Sequence, residues 1–215
     1  MGVPVIIFGK SGAGKSRSLK NFGEDEILYF NVENKPLPFR KKFKYESKAD
    51  NVDHILFKLQ DMAKVKLKTA VIDDCGYIMT HYFMKHHRGH KGNAAFEMYN
   101  EIADMMFKLI TEIKNTLPDD VIVYIVMHEN TDECGKTSLR TLGKLLDEKV
   151  CMEGMLTICL RCISVNGKHS FRTTTDGLDI TKSPEDMFEA DEIENDLKAV
   201  DVAIRNYYGL DDSHA

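Results

Sequence analysis

Eight residues near the start of the chain, Gly9-Lys10-Ser11-Gly12-Ala13-Gly14-Lys15-Ser16, have the spacing G-x-x-x-x-G-K-[ST], which suits phosphate oxygens. Glycines let such a backbone curl until its N–H groups point inward at an anion, and a helix behind it adds positive potential. In this pattern Lys15 neutralises the β and γ phosphates of ATP, and Arg17 extends the nucleotide-binding run. Ser16 supplies a hydroxyl to Mg2+, a cation that keeps several waters and takes few protein ligands. Asp73, at the end of the apolar run Ala70-Val71-Ile72, is the expected acid holding that metal through water, and Asp74 can share the task. Hydrolysis also needs a group that orients or deprotonates water. Glu33 and His128 are the candidates, each at the end of an apolar run.

The elements that must position these residues read as βαβ units. Residues 3–8 form a buried strand leading into the glycine loop, and a helix opens at Lys15 and Ser16. Further strands are expected at residues 27–32, 69–72 and 121–127, with helices at 52–65 and 96–115 between them. Two strands at 155–165 and 168–174 are joined by Asn166-Gly167, a strong hairpin signal. A final amphipathic helix carries Ile193, Leu197, Val200, Ile204 and Tyr207. In an open parallel sheet the strand ends on one edge converge on a crevice, which would bring Glu33, Asp73 and His128 to the phosphates.

At 215 residues the chain fits one α/β domain, with enough interior to need no disulfide or metal staple. Apolar residues make up 43% and charged residues 29%, which excludes a disordered or fibrous chain. No apolar run is long enough to span a membrane and no secretory signal opens the sequence, so a cytoplasmic protein with reduced thiols is expected. Cys159 and Cys162 form the lone C-x-x-C pair, but on a strand they face opposite ways and cannot easily share a metal. The net charge of −5 excludes a polycation that coats nucleic acid by charge alone.

The order of P-loop, Glu33, Asp73 and His128 along the chain resembles the RecA-like ATPase core. More narrowly, residues 8–16, Val126-Met127-His128-Glu129, Leu142-Gly143-Lys144-Leu145-Leu146, Thr181-Lys182-Ser183-Pro184 and Asn195-Asp196-Leu197 resemble the short phage-encoded ATPases of the Sak type, known for single-strand annealing and recombination. The resemblance implies a single RecA-like domain over residues 1–215: a mainly parallel sheet flanked by helices, with a C-terminal hairpin and a last helix. It also implies ATP with Mg2+, assembly into rings or filaments, and single-stranded DNA as partner, with a single-strand DNA-binding protein as a further one. If the chain is phage-encoded, it works in the cytoplasm of a bacterial host. Glu33 then matches a catalytic glutamate and His128 a sensor position.

Relatives of this type carry DNA-binding loops after the metal-acid strand and after the sensor strand. The first place holds Lys85-His86-His87-Arg88-Gly89-His90-Lys91-Gly92-Asn93, with Lys85, Arg88, His90 and Lys91 as phosphate contacts. Its histidines raise zinc as an alternative. The second place, residues 129–142, holds Lys136 and Arg140. A basic residue given to the neighbouring subunit's ATP would be Lys182, with Arg172 in reserve. Asn31 stands where an acid might precede the glutamate, which argues for annealing or a mediator role over strand exchange. The rivals are a nucleotide or small-molecule kinase and a nucleotide-dependent loader. Seven scattered arginines with no cluster after the fourth strand argue against the kinase.

Overall fold

The computed structural model describes residues 1–89 and 93–210. Its sheet is built from β1 (Val3–Gly9), β2 (Leu28–Asn31), β3 (Tyr45–Ser47), β4 (Thr69–Asp73), β5 (Ile122–Thr131), β6 (Thr137–Leu139), β7 (Ile158–Val165), β8 (Lys168–Arg172) and β9 (Glu192–Glu194). The strand order is β3-β2-β4-β5-β1-β7-β8-β9, with β6 on β5. Neighbouring strands from β3 through β7 pair in parallel, whereas β6 pairs antiparallel with β5, β8 with β7 and β9 with β8. This is the mixed α/β, mainly parallel architecture that the sequence predicts.

A parallel sheet is buried on both faces, so its strands are apolar throughout. Ile6, Phe8, Phe30, Ile72, Ile125 and Met127 face one way, into a core shared with α1 (Val52–Gln60), α2 (Gly76–His86) and α3 (Asn93–Thr116). Their neighbours Val5, Ile7, Tyr29, Val71, Tyr124 and Val126 face the other way, toward Leu19 and the apolar stripe Leu197, Val200 and Ile204 of α4 (Leu197–Tyr208). Cys159 and Cys162 fall into opposite cores, as strand alternation requires.

Parallel pairing sets the site. Gly9 lies beside His128 and Asn31 beside Asp73, so the loop after β1 and the polar ends of β2, β4 and β5 share one edge. The hairpin between β7 and β8 turns through Asn166 and Gly167, both left-handed at φ 52° and 78°, as a tight two-residue turn demands.

Several elements differ from expectation. The segment after the glycine loop is a six-residue 3-10 helix, Ser16–Asn21. The 52–65 helix is α-helical only to Gln60, then tightens into a 3-10 turn that ends at left-handed Lys66. Ile193 lies in β9; α4 starts after Asp196, whose carboxylate accepts the N–H groups of Lys198 and Ala199 at 3.0 and 3.3 Å and so caps it. Residues 129–142 are no simple loop, because β5 runs on to Thr131 and returns as β6. The chain leaving Asp74 enters α2 at once, so Lys85 sits on that helix's last turn. Eleven residues of helix at ~1.5 Å each carry the basic run roughly 16 Å from the acids.

Candidate nucleotide site

Two glycines shape the loop. Gly12 and Gly14 adopt φ 77° and 106°, which side-chain-bearing residues rarely reach. Gly9 must be small for another reason: a Cβ there would lie 2.3 Å from the Cys162 carbonyl oxygen on β7. The carbonyls of Gly14 and Lys15 accept the Ser18 N–H at 3.0 and 3.2 Å, and that of Lys15 also accepts the Ser18 hydroxyl at 2.6 Å. These carbonyls are turned into the 3-10 segment, and backbone N–H groups at the start of such a segment have no partner within it.

That edge holds a cavity of about 360 Å³, whose lining includes Ser11, Gly12, Gly14, Lys15, Ser16 and Arg17 from the loop. Tyr29, Asp73 and His128 come from the strands, Asp74 from the turn after β4, Lys35 through Pro38 from the segment after β2, and His169 from β8. Gly9, Lys10 and Ala13 act through their carbonyls instead. The Lys15 ammonium donates to the Gly9 and Lys10 oxygens at 2.8 Å each. The Ala13 oxygen lies 2.7 Å from His169 Nδ1 and 3.1 Å from the Cys162 thiol. Burial pushes that thiol up to about 12, so it stays protonated and keeps donating.

His128 bridges the loop and the acids. Its Nδ1 lies 3.4 Å from Lys15 Nζ and its Nε2 3.3 Å from Asp74 Oδ1, so a proton on Nε2 satisfies both contacts. Asp74, left-handed at φ 58°, also pairs with Lys35 through its other oxygen. Burial works to raise the Asp74 carboxyl, but His128 and Lys35 outweigh it and hold the group below its ordinary value. Asp73 goes the other way. Burial, then the charge of Asp74, pushes it up against hydrogen bonds from Ser16 and Tyr29, the Tyr29 hydroxyl lying 3.0 Å from Oδ2. Burial likewise holds the Lys15 ammonium below its usual value, against the pull of Asp74, Cys162 and Asp73.

A divalent cation fits this donor set. Asp73 Oδ1 is buried with no hydrogen-bond partner, and the other carboxylate contacts include the Ser16 hydroxyl. An orphaned, raised carboxylate beside a hydroxyl is what an oxygen-seeking metal relieves.

The remaining expected residues lie apart. Glu33 is two residues past β2 on the same edge, but it faces His81 of α2 at 2.8 Å and does not line the cavity. Lys85 pairs with Asp50 at 2.6 Å and Arg88 is exposed, whereas His90 and Lys91 lie outside the described residues. The rings of His86 and His87 turn back to the carbonyls of Tyr82 and Phe83 at 2.8 and 3.1 Å, and stack on those two rings. Among the described residues, no group of three or more His, Cys, Asp or Glu is arranged to hold a metal. Lys136 and Arg140 are exposed on the β5–β6 hairpin, and the Arg140 N–H donates to the His128 carbonyl at 2.8 Å. Lys182 bridges to Cys159 near the start of β7, and Arg172 pairs with Asp176 and Asp179; neither lines the cavity.

Tyr29, Lys35, His169 and Asn195 are the neighbours that sequence reasoning missed. Asn195 is buried, its amide donating to Cys162 Sγ at 3.3 Å and its oxygen 3.1 Å from a Cβ placed on Gly14. The fold and the glycine loop define a P-loop protein. Residues 1–183 match a protein family described as an AAA domain, and the chain belongs to that family. Among solved structures, the KaiC-like protein PH0186 of the hyperthermophilic archaeon Pyrococcus horikoshii OT3 is similar over 79% of this chain and 76% of its own, at 14% identity and a TM-score of 0.43. No curated protein matches the chain. Among the described residues no helix is long and apolar enough to cross a membrane.

Proposed function

We propose that this protein binds ATP with Mg2+ in the cavity beside Lys15 and hydrolyses its γ-phosphate. The observation that carries the proposal is convergence: one cavity is lined by the glycine loop, Lys15, Ser16, Asp73, Asp74 and His128. Lys15 gives its charge to the β and γ phosphates, exchanging its contacts with the Gly9 and Lys10 carbonyls for theirs. Ser16 and Asp73 would hold Mg2+, which supplies neutralisation of charge on the phosphate oxygens. Asp74 is the acid lining the cavity that can orient water, with His128 holding one of its oxygens. Glu33, engaged by His81, is the second acid for that role and needs a side-chain turn to fill it.

The finer part of the proposal is that several copies assemble on single-stranded DNA and use hydrolysis in annealing or recombination, as the Sak-type resemblance implies, with a single-strand DNA-binding protein as a further partner. The contact residues are Lys85 on the last turn of α2, Arg88 just after that helix, His90 and Lys91 further along the sequence, and Lys136 and Arg140 on the hairpin. The bond from Arg140 to the His128 carbonyl supports this reading, because it ties that hairpin to a residue touching Lys15 and Asp74. Lys182 is the candidate for completing a neighbour's site. ATP turnover with and without single-stranded DNA tests both levels. Turnover that depends on Lys15 and rises with DNA supports them. Turnover indifferent to DNA, with no DNA binding by the wild type, removes the recombination reading and leaves the ATPase. Normal hydrolysis by Lys182→Ala under assembling conditions removes the role in trans.

A further inference from the structure

Asn31 ends β2 beside Asp73, at a place where an acid was expected, and the structure gives it a different task. Its side-chain oxygen accepts the Lys35 N–H at 3.1 Å, while its amide donates to the Lys35 carbonyl at 2.9 Å and to Glu46 at 2.9 Å. Both sides of the Lys35 peptide are thereby clamped to the strand end. Pro36 and Pro38 restrict the segment that follows, and Lys35, preceding a proline, is itself confined to extended backbone. The side chain leaving this clamp reaches Asp74. It remains 49% exposed while Asp74 is 4% exposed, so the ammonium caps a buried acid from the cavity side.

An ammonium here has two anions to choose between. It faces Asp74, with the charge of Asp73 also near. A triphosphate gripped by Lys15 would add several negative charges to the same 360 Å³ cavity, and the four-carbon lysine stem can swing its charge while the backbone stays fixed. We propose that Lys35 is a γ-phosphate-binding residue supplied by the chain's own post-β2 segment: without nucleotide it rests on Asp74, and with a triphosphate bound it transfers to the γ-phosphate. The transfer bares the Asp74 oxygen it had covered, so that the acid can orient water only once a triphosphate is in place. It also gives the segment Lys35–Pro38 two positions that distinguish triphosphate from diphosphate. The inference rests on the cavity being an ATP site, and it adds a residue and a means of discrimination to that reading.

The test is equilibrium binding, with Mg2+, of ADP and of a non-hydrolysable ATP analogue to the wild type, Lys35→Met, Lys35→Arg and Lys15→Ala. A charge-assisted hydrogen bond present only with the triphosphate is worth about tenfold or more in affinity. Lys35→Met should therefore weaken the analogue about tenfold or more and leave ADP within about twofold, while Lys35→Arg keeps most of the discrimination. Retained ADP binding shows that the variant is folded. If Lys35→Met shifts both nucleotides equally, or neither, while wild type binds them and Lys15→Ala does not, the inference falls alone. If wild type binds neither nucleotide, the ATP site falls and the inference with it.

Discussion

Replacing Gly14 by alanine tests how closely the C-terminal hairpin presses on the phosphate loop. A Cβ at Gly14 would lie 2.8 Å from His169 Nδ1, 3.0 Å from its Cγ and 3.1 Å from Asn195 Oδ1. Gly12 is the built-in control, since it too is left-handed but a Cβ there meets nothing within 4 Å. A left-handed backbone costs an L-residue about 1–2 kcal/mol, so Gly12→Ala should lower stability by about 1 kcal/mol. Gly14→Ala carries a like backbone cost at φ 106°, and it must also displace His169, forfeiting the contact with the Ala13 carbonyl for about another 1 kcal/mol. Residual crowding against Asn195 brings the total to about 3 kcal/mol. For a chain of this length each kcal/mol is worth about 2–4 °C, so Gly12→Ala should melt about 2–4 °C below wild type and Gly14→Ala about 6–12 °C below. Thermal unfolding of the ligand-free proteins reads the difference, and His169→Ala in the Gly14→Ala background should recover part of it. Equal melting of the two alanine variants would refute the close approach of β8 to the loop.

Asp73→Asn should raise the melting temperature at neutral pH while removing Mg2+-dependent nucleotide binding. The folded chain holds the Asp73 proton more tightly than the unfolded one, so its stabilising share is whole below about pH 3.9 and lost as pH rises through the folded value. The gap between variant and wild type should therefore be widest near pH 7 and close toward pH 4; a gap that opens at low pH contradicts the assignment. Arg161→Met should cost about 3–5 kcal/mol in denaturant unfolding, because Arg161 grips Glu129 twice at 2.9 Å and Asp179 at 3.1 Å, and both acids are almost wholly buried. A loss under 1 kcal/mol would mean that the acids find water or protons instead. Asp74→Asn should reduce ATP turnover more than Glu33→Gln with nucleotide binding retained in both; the reverse order would move the water-orienting role to Glu33.

Much of the site could be read from the sequence because it is local. The glycine loop, Lys15, Ser16 and the acids at the end of residues 69–73 form short patterns whose chemistry follows from spacing, and parallel strands deliver them to one edge. The apolar runs of β1, β4 and β5 were legible for the same reason. What could not be read depends on register and on polar residues in ordinary-looking segments. His169 reaches the loop only because β8 pairs antiparallel with β7, and Lys35 reaches Asp74 only because Asn31 clamps its backbone. The helix α2 was missed because Gly76 through His86 mix aromatic and polar residues with little amphipathic contrast, although their packing against α3 makes a helix of them. Ile193 fitted a helical spacing by coincidence, and the Asp196 cap three residues later was the truer start signal.

The most direct test is titration calorimetry of Mg·ATP into wild type and Lys15→Ala. The wild type should bind one ATP per chain, and removing the buried Lys15 ammonium should weaken binding about 100-fold or more, the equivalent of about 2.7 kcal/mol. Equal affinity for the two proteins, or no binding by the wild type, would contradict a phosphate grip by the loop of residues 9–16.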